Sequence, residues 1–359
     1  MNEAQDRKRR FRLCASLLLL SLLLLLASLA QGQVSKQNNA APKPTPEGDE
    51  IDEGDVISVS TSEVMLPVTV RDANGQLVST LTRDDFRVFE DGRLQPLSDL
   101  ALRRVPVDVV LMVDASSSAA ANLDDFQRAV EGFASNLSPD DRISLIKFDD
   151  RVELLQDWTQ SRVQLRRSLR RIVPGVFTRF NDALLLAARE QLAHARGRHA
   201  VIVLTDGIDS GRGYSTLEAA LRALLEAQAT IYVVSNTEIE RQKKRAELDS
   251  LLASSSASVA RFNELRIGDL RESLRVLDLS EQNLEQLTGA TGGRLYKPAS
   301  FDQLDATYRE VAEELRHQYA LYYTPLNKAR DGRFRRVRVL TTTPSNKVSA
   351  RIGYFAPGR

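Results

Sequence analysis

The segment VPVDVVLMVDASSS, residues 105–118, decides the fold. From Val107 to Val113 it is apolar at every position but Asp108. Such a run belongs to a strand covered on both faces, as in a parallel sheet, rather than to a strand with one wet face. It then breaks into Asp114 and the hydroxyl-rich Ser116-Ser117-Ser118.

Working outward, the same grammar recurs. A helical stretch at Asn122–Leu137 puts Phe126, Val130, Phe133 and Leu137 on one face. Strands RISLIKF (142–148) and VELLQDW (152–158) follow, then helices at 161–173 and Asn181–Ala195. A second buried strand, HAVIVLTD (199–206), leads through a helix at 215–228 to TIYVVSN (230–236). Alternating strands and helices of this kind predict a doubly wound α/β domain with a mostly parallel, Rossmann-like sheet. Residues 237–280, rich in Glu, Lys, Arg, Ser and Leu, read as a helical insertion, followed by a helix at 281–289, a TGG turn, the strand RLYKP and a helix at 301–317.

The flanks have a different period. Residues 56–104 alternate apolar and polar, with turn signals at Asn74-Gly75 and Asp91-Gly92, and predict a small antiparallel β unit. Residues 319–359 return to alternation around an Asp331-Gly332 turn. Each flank alone is too short for a stable core, so the two are expected to pack together as one small sandwich.

The first thirty residues are unlike the rest. Five basic residues between Arg7 and Arg12 precede a Leu-dominated run, Leu13–Leu29, and Ser28-Leu29-Ala30. This describes a secretory signal at residues 1–30 cleaved after Ala30; the other reading is an uncleaved anchor helix, the only route to a membrane. Residues 31–55, polar and without aromatics, read as a flexible linker. Of 49 basic and 48 acidic residues, removal of the leader leaves 44 and 46, and takes away the only cysteine, Cys14. The expected mature chain is periplasmic or secreted and must hold its core without disulfides. A near-neutral balance excludes a dedicated nucleic-acid binder.

Candidate chemistry collects at strand ends. Asp114, Ser116 and Ser118 follow the first buried strand, Thr178 precedes a helix, and Asp206 ends the second buried strand. In a doubly wound sheet ligands bind where the strand order reverses. Carboxylates and hydroxyls meeting there, with no His or Cys, offer hard oxygen ligands that suit Mg²⁺, Mn²⁺ or Ca²⁺ rather than zinc. An enzyme is disfavoured. No G-x-S-x-G elbow occurs, no acid lies two residues after Asp114 as a phosphoryl-accepting aspartate requires, and no His or Cys adjoins the strand ends. His194 and His199 read as surface histidines, and the arginines between Arg162 and Arg171 as a solvated helix face.

The D-x-S-x-S motif with Thr178 and Asp206 resembles the metal-ion-dependent adhesion site of von Willebrand factor type A domains, over about residues 105–318. The flanks resemble those of exported type-A-related proteins abundant in Acidobacteria. The resemblance implies that Asp114 is a charged ligand, that Ser116, Ser118 and Thr178 offer hydroxyls, and that Asp206 adds a second carboxylate, in such sites often through water. It also implies a protein or peptide partner that completes the coordination with a Glu or Asp carboxylate. A cation held mainly by neutral hydroxyls keeps positive charge for such an anion. Three positions depart from the pattern: Phe177 stands where the family has Gly, Arg179 where it has a small residue, and Ala119 where it has a larger apolar one. The alternative reading is a structural or assembly module of the cell envelope with a vestigial metal site, meeting its partner through the β unit or the helical insertion.

Overall fold

The computed structural model describes residues 63–102, 105–116, 123–195, 197–205, 207–211, 213–253 and 260–358. The leader and linker lie outside them, as do Ser118, Ala119 and Asp206.

In chain order, the N-terminal flank forms β1 (Val64–Arg71), β2 (Phe86–Glu90), β3 (Arg93–Gln95) and β4 (Leu97–Leu102). The middle forms β5 (Val107–Asp114), α1 (Leu123–Asn136), β6 (Arg142–Phe148), β7 (Val152–Thr159), α2 (Arg162–Leu169) and α3 (Phe180–Leu186). It continues with β8 (Arg198–Thr205), α4 (Leu217–Glu226), β9 (Thr230–Ser235), α5 (Thr237–Ala253), α6 (Ala260–Thr291), β10 (Arg294–Tyr296) and α7 (Leu304–Arg316). The C-terminal flank adds β11 (Tyr319–Tyr323), β12 (Phe334–Thr341), β13 (Lys347–Ala350) and β14 (Gly353–Phe355).

The central sheet has the order β10-β9-β8-β5-β6-β7. All neighbours are parallel except the edge pair β6 and β7. Every residue of β5 is buried, because both faces are covered. Val109, Leu111 and Val113 point into the core beneath α1, α2 and α7, where Tyr308 sets its ring edge-on to Phe126 and Phe133. Val110 and Met112 point into the opposite core with residues of α3, α4 and α6. The chain passes from β5 to β6 on one side and reaches β8 on the other. The reversal of strand order therefore falls between β5 and β8.

The flanks interleave in two four-stranded antiparallel sheets, β13-β1-β11-β4 and β14-β12-β2-β3. Leu66 and Val68 of β1, Val88 of β2, Leu321 of β11 and Val337 of β12 share one core. Within it the buried Glu90 carboxylate accepts hydroxyl hydrogen bonds from Tyr323 and Tyr354 at 2.9 and 2.8 Å. Asp91 and Gly92, at φ 47° and 81°, make the tight β2–β3 hairpin expected of that dipeptide. The Asn74-Gly75 turn behaves differently. It closes only an isolated bridge between Arg71 and Leu77, and β1 takes its long-range partners from β11 and β13.

One helix boundary also differs from the sequence reading. Nothing breaks the chain at 280, and α6 runs through it without interruption for 32 residues. Leu270, Leu277 and Leu284 recur at seven-residue spacing and are all buried, which keeps one apolar seam along the helix. The buried Arg241 of α5 reaches across to Asp278 and Glu281 at 3.1 and 2.6 Å and ties the hairpin together.

Candidate metal-binding face

Asp114 closes β5 at the reversal point and is 4% exposed. Its Oδ1 accepts the Ser116 backbone N–H at 3.0 Å, and its Oδ2 accepts the Thr205 hydroxyl at 2.8 Å. Thr205 ends β8, so this second hydrogen bond spans the crevice between the two central strands. Burial pushes the Asp114 carboxyl above the usual carboxylate range; the hydrogen bonds from Ser116 and Thr205 oppose that shift, and the neighbouring Asp149 charge adds to it. Among the described residues no cationic side chain forms an ion pair with Asp114. Ser116 is buried beside it.

Thr178 is buried at the same end of the sheet. Three residues earlier, Gly175 donates its N–H to the Ala115 carbonyl at 2.8 Å, and Ala115 donates to Phe148 at 3.0 Å. The Thr178 carbonyl accepts the Ser210 N–H at 2.9 Å and the Ser210 hydroxyl at 2.8 Å. The Thr178 loop is thereby laced both to β5 and to the loop after β8. Gly207 enters that second loop at φ 69°, and a Cβ there would meet Leu284 and Ser280 of α6 at 2.7–2.8 Å. Only glycine meets both conditions without displacing α6.

Several carboxylates absent from the sequence reading hold these loops. Asp150 accepts the N–H groups of Val176 and Phe177 at 3.1 and 3.0 Å, and these keep its carboxyl below the ordinary range. Asp182 accepts from Tyr214 and Ser215, and Asp209 from Asn181 and Gly211. Asp149 is buried and pairs with Lys147 at 2.7 Å. The signal was present in the Asp149-Asp150 pair, which follows β6 at the sheet end that carries Asp114. A dipeptide of acids after a strand also reads as a turn, and only the pairing of β6 with β5 separates the two readings.

Of the five expected ligands, the structure brings Asp114, Ser116 and Thr178 to one end of the sheet; Ser118 and Asp206 lie outside the described residues. Among the described residues no three His, Cys, Asp or Glu side chains converge as a metal cluster. What does converge is a buried carboxylate with no ion-pair partner among the described residues, flanked by hydroxyls. That donor chemistry fits a hard divalent cation. Arg179, next to Thr178, lays its guanidinium over the ring of Tyr214 at 5.5 Å, and that ring is 91% exposed.

The chain is similar to several known proteins. A probable E3 ubiquitin-protein ligase of Arabidopsis thaliana is 31% identical over 150 residues, covering 39% of this chain; the chain spans 20% of that protein. Among solved structures, a von Willebrand factor type A protein from Catenulispora acidiphila is 10% identical and covers 83% of this chain and 75% of its own, with a TM-score of 0.44. Proximal thread matrix protein 1 from the mussel byssus, with a zinc-occupied MIDAS motif, is 15% identical and covers 63% of this chain and 49% of its own, with a TM-score of 0.44. The vWF domain of the type V pili tip protein Mfa5 from Porphyromonas gingivalis is 14% identical, with coverages of 59% and 95% and a TM-score of 0.38. Residues 108–275 match the von Willebrand factor type A domain, so that stretch of the chain is a domain of this type.

Proposed function

We propose that this chain is an exported, non-enzymatic binding protein. Its type A domain holds a divalent cation, Mg²⁺ before Mn²⁺ or Ca²⁺, on Asp114, Ser116, Ser118, Thr178 and Asp206, and offers it to an Asp or Glu carboxylate of a protein or peptide partner. The observation that carries this reading is Asp114: a buried carboxylate at the strand-order reversal, hydrogen-bonded by Ser116 and Thr205 and paired with no cation among the described residues. Leaving such a charge uncompensated is costly, and a bound cation removes the cost. The bound ion would supply positive charge for an incoming anion. Asp150, Asp182 and Asp209 keep the surrounding loops in place for it.

The test is thermal melting of the protein with Mg²⁺, with Mn²⁺ and with EDTA. At about a hundredfold excess over Kd, an ion bound only by the folded state stabilises by about 2.7 kcal/mol. Asp114→Ala and Thr178→Ala should each remove the metal-dependent shift and the metal-dependent capture of partner. Identical melting of the parent protein under all three conditions would overturn the metal reading. It would favour the second reading, an envelope assembly module, which the Arg179 side chain beside Thr178 supports by placing a fixed cation near the same face.

A further inference from the structure

The sandwich carries an unusual outer surface. Along β12, Phe334, Arg336, Arg338 and Leu340 alternate with the buried Arg335, Val337 and Val339 and so share the solvent side. Arg338 stands opposite Phe89 of β2, and Phe89 opposite Leu94 of β3, so these side chains lie on the same face. Phe89 and the four β12 residues line a groove of about 750 Å³ that also reaches Asp91 and Gly92, with Leu94 beside it. Leu94 is 52% exposed, Leu340 38% and Phe334 36%.

The charges in this groove are unmatched. Among the described residues no carboxylate forms an ion pair with Arg336 or Arg338. Asp91 is the one acid at the groove, and its Oδ1 is engaged by the Arg336 backbone N–H at 2.9 Å rather than by a guanidinium. On β12 the order along the face is apolar, cationic, cationic, apolar. Successive members are two residues apart, roughly 6.8 Å. An extended peptide repeats its same-side groups at the same interval.

We propose that this face is a second binding site, for an extended acidic peptide with two carboxylates two residues apart between apolar side chains. The carboxylates would meet Arg336 and Arg338, and the apolar groups would cover Phe334 and Leu340, with the half-buried Phe89 between them. A flat bilayer cannot fill a concave groove. A nucleic acid would need a wider basic field than a chain of net charge +1 supplies. The groove lies on the β14-β12-β2-β3 sheet of the sandwich and shares no residue or strand with the Asp114 face. The proposal therefore stands apart from the metal reading.

The experiment uses the whole protein and a fluorescein-labelled peptide, Leu-Ser-Glu-Ser-Glu-Ser-Leu, followed by fluorescence anisotropy. Binding is expected, unchanged by EDTA, and weakened by raising NaCl from about 0.05 to about 0.5 M. Replacing both Glu of the peptide by Gln, or making R336Q/R338Q, should weaken it about tenfold. The exposed positions should leave melting unaltered, and R336K/R338K, which keeps the charge, should bind within about threefold of wild type. Equal affinity of wild type and R336Q/R338Q overturns the proposal, as does absence of binding. Loss of binding in EDTA would place the peptide at the metal face and also overturn it. So would capture of phosphatidylglycerol vesicles or a single-stranded oligonucleotide with no capture of the peptide.

Discussion

Replacing Thr205 by Val isolates the hydrogen bond that joins the two central strands. The two side chains have nearly the same shape, so the change removes little but the hydroxyl. That hydroxyl donates to Asp114 Oδ2 at 2.8 Å and accepts the Gly207 N–H at 2.9 Å, and Thr205 is 2% exposed. A hydrogen bond to a charged group contributes about 1.5–3 kcal/mol and a neutral one about 1. The expected loss near neutral pH in EDTA is therefore about 3 kcal/mol, which lowers the thermal midpoint by roughly 5 °C in a domain of this size. The loss must also depend on pH. Asp114 has its folded-state pKa raised by burial, so its ionised form costs stability that appears as pH rises from the unfolded value through the folded one. Losing the Thr205 donor raises that pKa further. Below the ordinary carboxylate value of about 3.9, on the protonated side of both the unfolded and the raised folded value, only neutral hydrogen bonds are lost and the deficit shrinks to about 1–2 kcal/mol. Urea unfolding of both proteins at several pH values measures this directly. A deficit below about 0.5 kcal/mol at neutral pH, or one that does not change with pH, refutes the reasoning.

Asp150→Ala should release the Val176 and Phe177 amides, seen as faster hydrogen exchange at these two positions. Because their hydrogen bonds depress the Asp150 pKa, the anchoring is complete above the ordinary value of about 3.9 and is lost as pH falls through the lower folded value. Titration of these amide shifts in the wild type checks the sign. Leu277→Ala, at a position 1% exposed on the apolar seam of α6, should cost about 2–5 kcal/mol in urea unfolding. Leu265→Ser, 68% exposed on the same helix, should stay within about 0.5 kcal/mol, and equal effects would show that the seam is not what orders the hairpin.

The central sheet was legible because β5, β8 and β9 are buried on both faces and announce it as apolar runs. The place of Asp114 at the end of the first buried strand was legible because a hydroxyl-rich break after such a run has few structural uses. The partners of β1 were not. Alternation reports which side of a strand is wet and carries no information about which strand lies beside it, so a turn at Asn74-Gly75 suggested a neighbour within the same hairpin, whereas Val64 pairs with Tyr323. The role of the Thr205 hydroxyl was hidden for a similar reason: it matters only because β8 lies against β5. The continuity of α6 depended on a seven-residue seam that a change in polarity near Ser280 concealed.

The strand exchange in the flanks has a mechanical consequence. The α/β domain leaves the sandwich after Leu102 of β4 and re-enters at Tyr319 of β11, and these two residues are directly paired. The domain is thus a loop closed at its neck by an antiparallel ladder. Tension drawn along the chain between Val64 and Phe355 is carried by β1, held between β11 and β13, and by the β4–β11 ladder. It reaches β5 and the Asp114 crevice only after that ladder has sheared.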